Sequence, residues 1–405
     1  MDDQTQITPR DQDAMPRPWI LLAILIAQSM VGPLTLNILM PAVPGLGATF
    51  KTDAATVQLT LTLFLVGLAV SQLVLGSLSD RLGRRPVMLA GLAITVIASL
   101  AALAATTIGW LIVARTVQAL GASTGLVVGR AVIRDLYERD RAASMIGWVT
   151  MAMVVAPMIA PLIGGVLDTA FGWHAIFLFV ALFAAAVLIW TAAALPETRA
   201  VAAGGGGFTR FLEEAAALAR SRRFVGYVLC SALGSGMFFA FIAGAPHITV
   251  TIMGRSSAEY GIWFVLLSFG YMIGNFVAGR WSARYGTDAM VWWGVIIGSG
   301  FAILQVATVL VFPASMTAVF LPQTIMGFAN GFLLPNAIAG AVSVRPQAAG
   351  AASGVTGFMQ MGLGALVAQI VGYLITDAAT ALPMVLVALA CGITSLFALI
   401  VCLRR

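Results

Sequence analysis

Long apolar stretches alternate along this chain with short gaps in which glycine, proline and charge collect. Each stretch is long enough to supply the roughly 20 residues that a helix needs to cross a bilayer. The pattern predicts twelve such helices, near 19–41, 56–79, 86–105, 108–130, 143–167 and 174–195, then near 224–250, 260–281, 289–311, 315–341, 349–375 and 382–403. Between the two sets of six, "PETRAVAAGGGG" has no period and reads as a flexible linker. Just after it, Phe208, Phe211, Leu212, Ala215 and Leu218 recur at helical spacing opposite Arg210, Glu213 and Glu214, as in a short amphipathic helix lying on the membrane surface. The expected layout is a polar tail at 1–18, a six-helix bundle at 19–195, a linker with its short helix at 196–223 and a second bundle at 224–405.

Composition sharpens this to an all-α integral membrane protein. Charged residues make up 9% of the chain and apolar ones 60%, with a mean hydropathy of +0.99. A soluble domain carries about 25% charge, so lipid is the solvent for most of this surface. The net charge of +6 would suit nucleic acid, but the basic residues stand singly and in pairs in short loops, which excludes that partner. Cys230, Cys391 and Cys402 lie inside apolar runs at no ligand spacing, so neither a disulfide framework, a metal site nor a resident cofactor is expected. The first apolar run is too long for a signal-peptide core and is read as a retained span.

Loop charges orient the chain. "DRLGRR", "RDLYERDR", "TRFLEEAAALARSRR", "RWSARYG", "VRP" and "LRR" follow the even-numbered spans, whereas the opposite loops offer only Lys51 and Arg255. Lys and Arg gather on the cytoplasmic side, so both termini and the linker helix are expected there, in a multi-pass plasma-membrane protein. The two sets of spans also look duplicated. With "GSLSDRLG" set beside "GRWSARYG", Gly76, Ser79, Arg81 and Gly83 fall on Gly279, Ser282, Arg284 and Gly286, and "RTVQALGAS" meets "QTIMGFANG" at nearly the same offset. Parallel repeats of six spans are an architecture of secondary transporters, with the substrate site between the halves near the midplane.

Within "GSLSDRLGRRPVMLAG", Asp80 lies at the C-terminal end of the second helix, where the macrodipole is negative and a carboxylate needs a partner. Arg130 and Arg134 after the fourth span are candidates, and so is the N-terminal end of the eleventh span near Ala349 and Gly350. A bond to the last would join the two halves. Gly76, Asp80, Arg81, Gly83, Arg84, Arg85 and Arg134 are therefore expected to form an inner gate that stabilises an outward-open state, with Gly83 supplying a tight turn and Gly76 close packing. The positive-inside rule alone accounts equally for Arg84 and Arg85.

"GSLSDRLGRRP" resembles the loop after the second span in the major facilitator superfamily, and "LIVARTVQALGAS" resembles its fourth-span pattern. "APLIGGVL" is similar to the fifth-span motif of drug/proton antiporters, with Ala156 and Ala160 where glycine is usual. "GWHAIFLF", "LPET", "FFAFIAGAPHI" and the stretch from "GRAVIRDLYERD" to "APLIGG" resemble the Bcr/CflA branch of multidrug efflux transporters. The resemblance implies the major facilitator fold, two pseudo-symmetric six-helix bundles in a bacterial inner membrane. It also implies drug-resistance transport of small amphipathic xenobiotics in exchange for protons.

Arg115 is the formal charge placed well inside the bilayer, where a charge costs a few kcal/mol and marks a pathway. The resemblance implies that it faces the central cavity and couples proton movement to substrate release, and that Pro157, Pro161, Gly164 and Gly165 bend one helix and seal the halves against leakage. One position departs from the branch: an acid is common four residues before the first-span proline, but Asn37 stands there, before Pro41. Asparagine cannot carry a proton. His247 titrates in a useful range, so Arg115, Asn37 and His247 are the expected central-cavity set. Gln28, Asn275, Asn330, Asn336 and Gln360 either face the cavity or bridge helices. Phe238 and Phe241, with Phe239 and Met237, either wall an adaptable multidrug site or face lipid.

The reading is a proton-driven efflux antiporter working by alternating access, with small-molecule substrate, protons and the bilayer as partners and one chain sufficient. The alternative, favoured by the missing acid, is an uncoupled or differently coupled metabolite exporter or uniporter of the same fold. A non-transporting sensor would show no solute flux. An intramembrane enzyme would need paired aspartates, a Ser/His pair or H-E-x-x-H within the spans, which the sequence does not contain.

Overall fold

A computed structural model describes residues 18–137, 139–198, 208–376 and 378–403. Its first six spans are Pro18–Ile38 continued by Val43–Phe50, Ala54–Leu82, Arg84–Leu103, Ile108–Ala122 continued by Thr124–Leu136, Arg139–Phe171 and Trp173–Ala194. The second six are Arg222–His247, Ser257–Tyr285, Thr287–Val311, Met316–Ser343, Ala349–Leu374 and Leu382–Leu403. Among the described residues eleven of these segments are long and apolar enough to cross a membrane, and the fifth contributes the shorter apolar stretch Val155–Phe171.

Several helices outrun the apolar stretches that predict them. The second begins at Ala54 and ends at Leu82 rather than spanning 56–79, because polar residues at a helix end stay hydrogen-bonded while their side chains reach water. The first, expected to stop at 41, passes through a 3₁₀ turn at Met40–Ala42 and resumes as Val43–Phe50. Pro41 lacks the N–H that a regular α-helical turn would use, so the break falls there. Short connections are capped locally: Asp53 Oδ1 accepts the Thr56 N–H at 2.7 Å, and Thr107, Ser221, Ser256 and Ser315 cap the fourth, seventh, eighth and tenth spans alike.

One face of the bundle, the basic face, carries the turns at Gly83 and Gly286; the far face carries those at Lys51 and Gly172. Within the first half the third span packs on the fourth and sixth and the first on the fifth; within the second half the tenth packs on the eighth and ninth and the seventh on the eleventh and twelfth. The halves meet along the second and eleventh spans and along the fifth and eighth.

The linker helix Phe208–Ala219 is present and docks on the second half. Leu218 is buried with Phe224 and Tyr227 in the base of the second half, and the Phe211 ring packs 3.1 Å from where a Gly354 side chain would start, while Leu212 is left 50% exposed. Docking on protein selects a narrower face than lipid would. The side chains of Phe208 and Arg210 lie outside the described residues.

Candidate functional site

The fourth span carries Arg115 into the first half, between the first, second and third spans, where it is 1% exposed. Its Nη1 donates to the Thr35 carbonyl at 3.0 Å and to Gln118 Oε1 at 2.7 Å. Gln118 Nε2 donates in turn to Ser99 Oγ at 2.7 Å, fixing the amide that receives the guanidinium. The guanidinium lies over the Phe64 ring at 4.1 Å, a contact worth about 2 kcal/mol when desolvated. Nε and Nη2 have no hydrogen-bond partner among the described residues. An interior cation with two open donors suits an anionic or acceptor group, or ordered water, more than static packing.

Around it the polar residues divide into two groups. Gln28 Nε2 donates to Thr191 Oγ1 at 2.9 Å, tying the first span to the sixth, and Asn330 Nδ2 donates to the Gly234 carbonyl at 2.9 Å, tying the tenth to the seventh. Both are helix bridges, the second of the two alternatives that the sequence leaves open. Asn37, Asn275 and Asn336 each donate to the carbonyl four residues back in their own helix, at Pro33, Tyr271 and Phe332. Asn37 Oδ1 and Gln360 Nε2, like Gln28 Oε1 and Asn330 Oδ1 of the bridging amides, are buried without a partner among the described residues. His247 ends the seventh span, half-buried, where the helix passes into a π-turn at Ile248–Ile252.

The seventh-span aromatics are core. Phe241 is 1% exposed with its ring edge-on to Phe320 at 5.1 Å, and Phe239 and Met237 are buried beside it, so neither lipid nor a cavity touches Phe241 here. Phe238 is partly exposed, packed on Phe239 and Phe264. The reason is density: Tyr260, Phe264 and Phe320 stack onto the seventh span from the eighth and tenth.

On the basic face the charges of the second-span loop are knitted together. Arg84 is 5% exposed; it pairs with Asp80 at 2.8 Å and Asp135 at 2.9 Å and donates to Ser79 Oγ at 2.6 Å. Its burial goes beyond what the positive-inside rule alone requires of a loop arginine. Glu197, from the start of the linker, accepts the backbone N–H of Arg84 at 2.9 Å on Oε1 and of Arg85 at 3.1 Å on Oε2, and Arg85 Nη2 donates to the Ala192 carbonyl. Gly83 sits at φ 95°, and a side chain there would start 2.6 Å from Glu197 Oε2, so the position needs glycine twice over. Asp80 thus pairs with Arg84 of its own loop. Side chains added at Gly76 and Gly350 would meet open space. Arg81 is exposed, and the side chain of Arg134 lies outside the described residues.

The sequence pattern of the Major Facilitator Superfamily matches residues 25–367. The chain belongs to that superfamily. It is 33% identical over 350 residues to multidrug resistance protein D of Escherichia coli, covering 84% of this chain and 85% of that protein. It is 25% identical over 402 residues to a bicyclomycin resistance protein homologue of Haemophilus influenzae, covering 94% and 95%. Among solved structures it matches a bacterial homologue of the human lysosomal transporter Spinster, with a TM-score of 0.70 at 17% identity over 96% of this chain and 98% of that one. It is therefore a multi-pass membrane transporter of the major facilitator fold rather than an enzyme.

In this transporter the halves close on the far face. Gly164 admits the Ile38 carbonyl of the first span, and Gly165 lies against the Ser257 carbonyl of the eighth, where a side chain would start 2.5 Å away. Gly261 on the facing helix meets Pro161 and Leu162 in the same way. Pro157 and Pro161 lie inside this helix, which continues through both. Ser257 Oγ donates to Asp168 Oδ2 at 2.9 Å, Thr62 Oγ1 to Gln369 Oε1 at 2.8 Å, and Gln369 Nε2 to the Ala55 carbonyl at 3.2 Å, all from one half to the other. Sequence reasoning missed Glu197, Asp135 and Gln369. Glu197 was legible only as part of "LPET", and no local period marks any of them.

Proposed function

We propose that this transporter exports small amphipathic drugs or metabolites from the cytoplasm in exchange for protons, working by alternating access as one chain, with the basic face cytoplasmic. Halves 19–195 and 224–405 move as units about the 196–223 linker, in a bacterial inner membrane, and the proton gradient is the driving force in place of any cofactor. The observation that carries the reading is Arg115, a buried cation whose Nε and Nη2 are uncommitted in the closed interior. Names of the relatives support the cargo class: the E. coli protein is a multidrug resistance protein and the Haemophilus one a bicyclomycin resistance homologue. A potential of 100 mV supplies about 2.3 kcal/mol per proton, enough to raise a solute gradient tens of fold.

The sealed far face, where Ser257 Oγ donates to Asp168 across the halves, supports a form closed on that side. Drug uptake into everted vesicles tests the coupling. A protonophore should abolish it, and Arg115→Ala should reduce it to background while leaving membrane insertion intact. Uptake indifferent to protonophore would favour the second reading, an uncoupled exporter, for which the specific observation is Asn37 in place of a carboxylate.

A further inference from the structure

The duplicated turns differ in what covers them. Gly83 and Gly286 adopt nearly the same conformation, φ 95° and ψ 155° against φ 83° and ψ 157°, and each starts a helix. In the first half the two amides that follow are occupied by the Glu197 carboxylate. In the second half the corresponding residues, Thr287 and Asp288, line a cavity of about 660 Å³ on the basic face, Gly286 meets nothing within 4 Å, and no side chain caps the helix. An anion seat built by the repeat is filled from within the chain on one side and open on the other.

The open seat has its own cation. Arg223, from the seventh span, lines the cavity with 61% of its side chain exposed; its Nη2 donates to Asp288 Oδ2 at 2.5 Å and to the Tyr227 hydroxyl, leaving Nε and Nη1 for a further acceptor. The charge of Asp288 is offset by Arg223, and its second oxygen accepts from the Tyr227 hydroxyl. Arg222 and Arg284, both exposed, adjoin the lining in sequence, so the balance around the opening is positive. Tyr285 lines the cavity and also belongs to an exposed aromatic trio, 5.9 Å from Trp281 and 5.1 Å from Trp293. Beyond the trio the same two helices present Phe276 and Ile296, 64% and 49% exposed. Arginine with Trp and Tyr at the edge of an apolar helix face is the chemistry that holds a phosphate headgroup with its acyl chains in the bilayer.

We infer that the cavity between Arg223 and the Gly286 turn is a binding site for the phosphate headgroup of an anionic membrane lipid, which takes the place that Glu197 takes in the first half. The occupant is lipid rather than free phosphate because the aromatic trio and the apolar file continue the site into the membrane. The test uses the purified full-length transporter in nanodiscs of phosphatidylcholine with and without phosphatidylglycerol, read by native mass spectrometry after release and by thermal melting. Phosphatidylglycerol should stay bound in preference to phosphatidylcholine and raise the melting temperature. Arg223→Ala should lower retention roughly fivefold. Because that variant also disturbs Asp288, Ser343→Glu is the second: Ser343 is an exposed lining residue, and a fixed carboxylate there should expel the headgroup with the fold intact. Equal retention of both lipids, or retention unchanged in Ser343→Glu, would overturn the proposal. Stabilisation by millimolar inorganic phosphate without any lipid preference would overturn the lipid assignment.

Discussion

The two glycine turns of the basic face share a backbone and little else. Around Gly83 a buried arginine, two aspartates and the Glu197 carboxylate close on one another; around Gly286 the position matching Asp80 is Ala283, the amides are bare and the nearest ion pair is largely exposed. Duplication therefore preserved the geometry, which glycine alone can adopt, while the charges that use it diverged. The first turn is tied to the linker and to the fourth-span end, so a change in its charges reaches the parts that must move. Among the described residues the second is tied to its own half, through Arg223 and Tyr227.

Disabling the central residue of the first network should have the largest effect. Arg84→Ala removes the common partner of Asp135 and Asp80 and should cost about 2–3 kcal/mol, less than breaking a fully buried pair because both carboxylates are partly exposed. Thr287→Ala, at the matching place, should be near neutral in thermal melting of the detergent-purified protein. Comparable losses at both would remove the distinction. Next come the glycines. Both alanine variants meet the strain of a positive-φ conformation, about 1–3 kcal/mol, but Gly83→Ala also collides with Glu197, so it should melt lower than Gly286→Ala. In the Gly83→Ala background Glu197→Ala should cost less than it does beside Gly83, because the collision has already displaced the carboxylate, and equal costs in both backgrounds would mean that the carboxylate does not press on the turn. The smallest change is Asp80→Asn, expected to cost about 1 kcal/mol or less in melting because the carboxylate is half exposed. Its effect should instead appear in turnover and in greater labelling of cysteines placed at the basic-face ends of the second and eleventh spans. Unchanged labelling would count against a latch.

Spans, repeat and family were legible because hydropathy, span length and motif order are properties of consecutive residues. Arg115 stood out for the same reason, a charge within an apolar run. The ambiguity at Gln28 and Asn330 could not be resolved that way: a buried amide reads identically whether it bridges helices or lines a chamber, and only its neighbour decides. Phe241 is similar, since an aromatic in an apolar span is core, wall or lipid face according to which helix lies against it.

By itself the sequence determined a membrane bundle of two related sets of six helices, the places where glycine must turn the chain, and a cation held in the interior. Those follow from local free energies of transfer and of backbone conformation, which add along the chain. The tertiary structure alone decided that Arg84 meets Asp135 across 51 positions, that Gln28 meets Thr191 across 163, and that the Glu197 carboxylate covers one turn while its counterpart lies open. Partner choice depends on which surfaces packing brings within about 3 Å, and no pattern of neighbouring residues encodes that distance.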